Sequence, residues 1–177
     1  IRRELTDALE IPDERIASPD PDRGRLPDAG RRYEELIAAA GGVDLQVLGI
    51  GSDGHLAFNE PGSSLTSRTR LKTLTEETRR DNARFFGSVE EVPRHVLTQG
   101  LGTILDAGHL LLIASGDAKA AAVAAAVEGP LSASCPASVL QLHPHVSVLL
   151  DDPAARDLSR VRHWREVYAA KPAWQHL

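Results

Sequence analysis

The chain has 177 residues, of which 42% are hydrophobic and 25% charged, with a formal net charge of −5; that is enough chain for one domain with its own core. The acidic balance supplies no overall basic field to hold nucleic acid or an anionic membrane, and no apolar run approaches the length of a membrane span. The single cysteine, Cys135, has no partner for an internal disulfide, which points to a reducing, cytoplasmic compartment.

The sequence contains no Met and opens on IRRELTDALEIP, which reads as the tail of a helix. The expectation is a piece of a longer domain whose N-terminal part is missing, so the lack of a signal peptide carries no weight. Residues Ala17–Asp28 are rich in Pro and Asp without periodicity, and read as a loop. Tyr33, Leu36, Ile37 and Ala40 fall at helical spacing, predicting a helix over Ala29–Ala40 that Gly41 and Gly42 stop. Val43–Ile50 (VDLQVLGI) reads as a short apolar strand running into a Gly-bearing turn, Gly49–Gly54. Ser64–Phe86 is polar and ends in a helix; Pro93–Asp106 reads as a short strand or turn and then a helix. His109–Ser115 (HLLLIAS) is nearly continuous in apolar residues, as in a strand covered on both faces. Lys119–Glu128 is a helix closed by Gly129, Ala137–His143 a short helix, Val146–Leu150 (VSVLL) a third strand and Asp157–Ala170 a terminal helix.

Strands alternating with helices imply an α/β fold: a three-layer αβα, Rossmann-like parallel sheet with helices on both faces, forming a single, incomplete domain over residues 1–177. Ligands of such sheets sit at the carboxyl ends of strands. The two exits to inspect are therefore Gly49–Gly54 and Gly116–Lys119.

The first exit reads LGIGSDGHLAFNEPGSS. Gly49, Gly51 and Gly54 allow sharp turning and close backbone approach to a ligand. Asp53 and His55 are two residues apart and can share one side of an extended turn. A carboxylate there fixes the imidazole tautomer and favours its charged form. With Glu60 they make an acid–base set for proton transfer. A Gly-x-Gly turn, an Asp-x-His pair or an Asn-Glu-Pro turn taken singly is equally a structural turn. Asp, His and Glu are also metal ligands, but their spacing matches no strong metal signature, so no metal is expected.

Arg68, Arg70, Lys72 and Arg84 crowd a short stretch. Most such runs are solvated, but the apolar pair Phe85–Phe86 is expected to seat Arg84 against the body, where its fork suits phosphate or carboxylate. At the second exit, Ser115-Gly116-Asp117-Ala118-Lys119 places a Lys at a helix N-terminus. A cation opposes the dipole there, which points to an anion nearby; a solvent-facing Lys is the plainer alternative. Together the two exits describe an enzyme acting on a small phosphorylated molecule.

The runs LGIGSDGHLAFNEPGSSLTSRTRLKTLTEETRRDNARFF, VPRHVLTQGLGTILDA, LLIASGDAKAAAVAAAVEG and ASVLQLHPHVSVLLDD closely resemble glucosamine-6-phosphate deaminases, from about Ile11 to Asp157. The last twenty residues match less clearly. The resemblance implies conversion of glucosamine 6-phosphate and water to fructose 6-phosphate and ammonia, with no metal or organic cofactor. It implies that His55 opens the pyranose ring, that Asp53 and Glu60 flank it, and that Arg84 and Lys119 hold the phosphate. In some members an allosteric amino-sugar phosphate binds between subunits through residues matching Ser63, Arg70 and Lys72. Here CPASVLQLH replaces the tryptophan-containing segment of allosteric members and looks more like the non-allosteric bacterial type. Members range from monomer to hexamer, so a homo-oligomer is compatible with the resemblance. The family's Thr-Gly phosphate loop and Met-Asp-Glu-Tyr segment, whose Asp moves the C2 proton, are not in this chain, so these residues alone are expected to be inactive. The nearest rival is 6-phosphogluconolactonase, whose Asp-Gly-His turn continues into Ser-Leu-Phe-Pro rather than Ala57-Phe58-Asn59-Glu60-Pro61. A sugar-phosphate-sensing module is the other alternative, although a pure binder needs no proton relay.

Overall fold

Three strands form a parallel sheet in the order β1 (Leu45–Leu48), β4 (His109–Ala114), β5 (Val146–Leu150). Leu45 lies opposite His109 and Leu48 opposite Leu112, while Leu110 pairs with Val146 and Ala114 with Leu150. The structure is a computed structural model and describes residues 6–20 and 23–175. Of the helix tail expected over IRRELTDALEIP, residues 1–5 lie outside the described residues and Asp7–Glu10 form a turn; Pro21 and Asp22 of the expected loop also lie outside them.

The alternating side chains of β4 show which face is buried. Leu110, Leu112 and Ala114 point into the core with Leu48, and Val146, Val148 and Leu150 of β5 pack beside them. Above this face lie α3 (Leu101–Leu105), α4 (Ala120–Val127) and the 3-10 helix Pro136–Leu142. The alanines of α4 suit that place, since Ala120, Ala122 and Ala126 are buried and let the helix approach closely. Each fully buried Leu or Ile here contributes about 1.5–3 kcal/mol of transfer free energy.

The other face departs from the expectation that apolar strands are covered on both sides. Leu45, Val47, Ile113 and Leu149 remain 51%, 56%, 47% and 43% exposed. The apolar residues on both faces of these strands are real, but among the described residues helices cover only one of them. α1 (Ala29–Ala39) packs instead on an antiparallel ribbon of β2 (Arg70–Thr73) and β3 (His95–Thr98). Gly30 permits this contact, because a Cβ there would stand 2.1 Å from the carbonyl oxygen of Thr69. Glu34 of α1 then accepts from the backbone N–H of Thr69 at 2.8 Å, the Thr103 hydroxyl at 2.5 Å and the Arg68 guanidinium.

The ribbon is not foreshadowed by the polar stretch Ser64–Phe86. Arg, Lys and Thr alternate in β2 with a single Leu, and cross-strand pairing with β3 makes them a strand. α2 (Glu76–Asn82) follows, as the sequence suggests, with Thr75 as N-cap accepting from the Thr78 backbone N–H. The terminal helix α5 (Val161–Ala169) begins later than expected. Glu128 accepts from the backbone N–H groups of Ser159 and Arg160, the Ser159 hydroxyl and the Trp164 indole, which holds residues 159–160 ahead of the helix.

Candidate active site at two neighbouring strand exits

Because β1 and β4 are parallel neighbours, the turns Gly49–Gly54 and Ser115–Lys119 leave the same edge of the sheet. In the first turn the Gly51 N–H donates to the His55 carbonyl at 3.0 Å and the Gly54 N–H to the Gly51 carbonyl at 3.0 Å. Gly54 has φ 82°, a left-handed conformation that a side chain would strain. This brings His55 Nδ1 to 2.7 Å from Asp53 Oδ1, and the His55 backbone N–H donates to the same oxygen at 3.1 Å. The pair expected from the spacing is therefore formed. Nδ1 is buried and its 2.7 Å contact with Asp53 lacks hydrogen-bond geometry, so the two form a close carboxylate–imidazole contact, with Nε2 the nitrogen left to exchange protons with a ligand. The imidazole lies directly over Gly51, where a Cβ would stand 2.2 Å from Nδ1 and from Cε1.

The Ala57–Pro61 stretch is bolted to the end of β3. Ala57 sits at φ 50° in a tight turn closed by the Asn59 N–H to the Leu56 carbonyl at 2.9 Å. The fully buried Asn59 amide donates to the carbonyls of Gln99 (2.8 Å) and Leu56 (3.0 Å), and the Phe58 N–H donates to the Thr98 hydroxyl at 3.2 Å. Glu60 is 6% exposed. Its Oε1 accepts from the Thr75 N–H at 3.1 Å, the Thr75 hydroxyl at 2.9 Å and the Thr78 hydroxyl. Burial pushes the Glu60 carboxyl up. Hydrogen bonds from Thr78 and Thr75, with the charge of Lys72, outweigh it and leave the group below the usual carboxylate range. No hydrogen bond or ion pair joins Glu60 to His55 among the described residues; Glu60 instead meets α2.

The segment Ser132–Ser138 braces both ends of this motif. The Ala137 N–H donates to the Gly54 carbonyl at 2.8 Å and the Gly62 N–H donates to the Ala133 carbonyl at 2.8 Å. Cys135 packs against Gly54, whose Cβ would stand 2.7 Å from Sγ, and burial pushes the thiol pKa up.

Arg84 follows α2 in the 3-10 turn Ala83–Phe85. Its guanidinium lies 4.8 Å from the centre of the Phe85 ring, but Phe85 is 69% and Phe86 43% exposed, so the pair does not seat Arg84 against the body as expected. Lys119 is half-buried after the turn at Gly116, φ 86°, whose N–H donates to the Asp151 carboxylate. Neither Arg84 nor Lys119 uses its charged group in a hydrogen bond or ion pair among the described residues, so both are available to an anion. Arg70 and Lys72 share one face of β2, half-buried, and Ser63 is 4% exposed with no hydrogen-bond partner for its hydroxyl. No group of three or more His, Cys, Asp or Glu is arranged to hold a metal ion among the described residues. The roles of Thr75, Thr78 and the Ser132–Ser138 brace were not legible in sequence. The one usable signal was Thr75 ahead of two glutamates, which marks a helix start.

A family profile described as glucosamine-6-phosphate isomerases/6-phosphogluconolactonase matches residues 1–149. The glucosamine-6-phosphate deaminase of Arthrobacter sp. (strain FB24) is 59% identical over 177 residues, covering 100% of this chain and 68% of its own length. The chain belongs to the glucosamine-6-phosphate deaminase family. A further glucosamine-6-phosphate deaminase, from Mycolicibacterium smegmatis, is 63% identical over 163 residues, 92% of this chain and 62% of the relative. A solved monomeric glucosamine-6-phosphate deaminase superposes with TM-score 0.76 at 47% identity, covering 78% of this chain. The chain spans only 58% of that structure's length. A 6-phosphogluconolactonase from Trypanosoma cruzi, at 20% identity and TM-score 0.58, shares the fold. The parallel α/β, Rossmann-like architecture is thus that of the deaminase family. The alignment with the Arthrobacter deaminase also runs through the last twenty residues, beyond the reach of the family profile.

Proposed function

We propose that this chain forms part of an active glucosamine-6-phosphate deaminase, which converts glucosamine 6-phosphate and water to fructose 6-phosphate and ammonia in amino-sugar catabolism. The observation that carries this reading is the Asp53–His55 contact at 2.7 Å, on the same sheet edge as the exit bearing Lys119. Opening a pyranose requires a proton to leave the anomeric hydroxyl and another to reach the ring oxygen. A histidine with one nitrogen held by a carboxylate and the other free can do both in turn. Asp53 fixes the ring and stabilises the imidazolium formed midway. Arg84 and Lys119, unpaired among the described residues, take the substrate phosphate. The reading calls for no metal or organic cofactor, and the lone thiol suits a reducing cytoplasm.

Glu60 would contribute a fixed negative charge near the amino sugar, and Ser63, Arg70 and Lys72 would take an effector phosphate if one binds between subunits. In the intact protein, His55→Asn is expected to abolish ammonia release while sparing binding of glucosamine 6-phosphate; unchanged turnover would show that His55 is not the ring-opening group. Assay of the intact protein on 6-phosphogluconolactone is the companion test. Lactonase activity without deaminase activity would overturn the reading. The 177-residue chain alone is expected to release no ammonia, because the segments implied for the C2 proton and the phosphate loop are not among its residues.

A further inference from the structure

Three donors converge on a single oxygen of Glu60: the backbone N–H of Thr75, its hydroxyl at 2.9 Å and the hydroxyl of Thr78. The other oxygen has no hydrogen-bond partner among the described residues. A carboxylate accepting several donors on one oxygen has its rotation and ionisation set by them, since protonation would compete with the same lone pairs. Thr78 is 4% exposed, so water does not replace its hydroxyl when that hydroxyl is removed. The two threonines are linked to each other as well, the Thr78 N–H donating to Thr75 Oγ1 at 3.2 Å. The contact is thus also the N-terminal anchor of α2, and Arg84 lies in the turn directly after that helix.

We infer that Thr75 and Thr78 are positioning residues of the deaminase site: they hold Glu60 oriented and ionised, and through the same hydrogen bonds tie the helix leading to Arg84 to the turn carrying Asp53 and His55. The inference rests on the deaminase reading above. The charged groups around Glu60 are consistent with it. Lys72 of β2 attracts the carboxylate, Asp53 and His55 of its own segment pair with each other, and Glu76 of α2 is engaged by Arg79. With Lys72 as the field acting from β2, the threonine donors are the local control on Glu60.

The test is the isosteric change Thr78→Val in the intact protein, which removes one donor and keeps the shape. The acid limb of kcat/KM is expected to move to higher pH by about one unit, a roughly tenfold loss on that limb, with turnover above pH 8 nearly unchanged. Thr78→Ser, which keeps the hydroxyl, restores the wild-type profile. A carboxyl-carbon NMR titration of Glu60 reads the same displacement without turnover. An unmoved profile with an unmoved Glu60 titration overturns the inference, as does a pH-independent loss that Ser fails to restore. If the wild-type intact protein releases no ammonia, the deaminase reading fails instead, and the Glu60 titration still decides whether the threonines control that group.

Discussion

The His55 ring rests on a backbone that has room for it only because residue 51 has no side chain. A Cβ added at Gly51 would stand 2.2 Å from Nδ1 and Cε1 of the imidazole, whereas ordinary contact needs about 3.5 Å. The ring would have to retreat by about 1.3 Å, and the 2.7 Å contact with Asp53 would be lost in the same movement. Misplacement of a reacting group by ~1 Å costs on the order of 10²-fold in turnover. Gly51→Ala is therefore expected to lower kcat of the intact enzyme about a hundredfold while leaving KM near wild type. Gly51 is not among the positive-φ glycines, so the strain of Ala comes from its contact with the imidazole, and the loss of stability is expected to stay within the ~1–3 kcal/mol of an overpacked site. Gly49→Ala is the internal control, since a Cβ there meets nothing within 4 Å; its kcat is expected to stay within about twofold. Ammonia release coupled to glutamate dehydrogenase measures both. Wild-type turnover in Gly51→Ala would refute the claim that this glycine seats the imidazole.

Two further outcomes follow from the clamps around the site. Burial raises the Glu34 carboxyl, but hydrogen bonds from Thr103, Thr69 and Arg68 bring it down to about 2. Its folded value is depressed, so its contribution is present above the unfolded value of about 4.3 and lost as pH falls through 2. Glu34→Gln is expected to lower stability by about 2 kcal/mol at pH 7, with the gap to wild type closing between pH 4.5 and 2 in urea melts; a gap independent of pH would contradict this. Arg79, 5% exposed, donates to the carbonyls of Val89 and Val92 and to both oxygens of Glu76, tying the 87–92 loop to α2. Arg79→Met leaves two carbonyls unpaired and should cost about 2–4 kcal/mol in thermal unfolding; a loss under about 0.5 would show that the clamp is idle.

The sequence by itself determined the α/β class, the order of most elements, the two strand exits proposed to carry the chemistry, and the Asp53–His55 pair. These are local matters: periodicity, glycine punctuation and a two-residue spacing act over a few residues and are readable without the fold. Membership of the deaminase family was legible for the same reason, since DGHLAFNEP is one contiguous run. What tertiary structure decided depends on distant residues meeting. β2 became a strand because β3 lay beside it. Glu60, read as a flank of His55, was drawn to Thr75 and Thr78 because α2 begins against it. Arg84 lies on an exposed turn because Phe85 and Phe86, expected to seat it against the body, are themselves exposed after α2. The brace from Ser132–Ser138 to Gly54 and Gly62 spans 83 positions at Ala137–Gly54 and 71 at Ala133–Gly62. Pairings of that range leave no periodic trace in a single sequence, because they are specified by where the backbone goes and not by the residues adjacent in the chain.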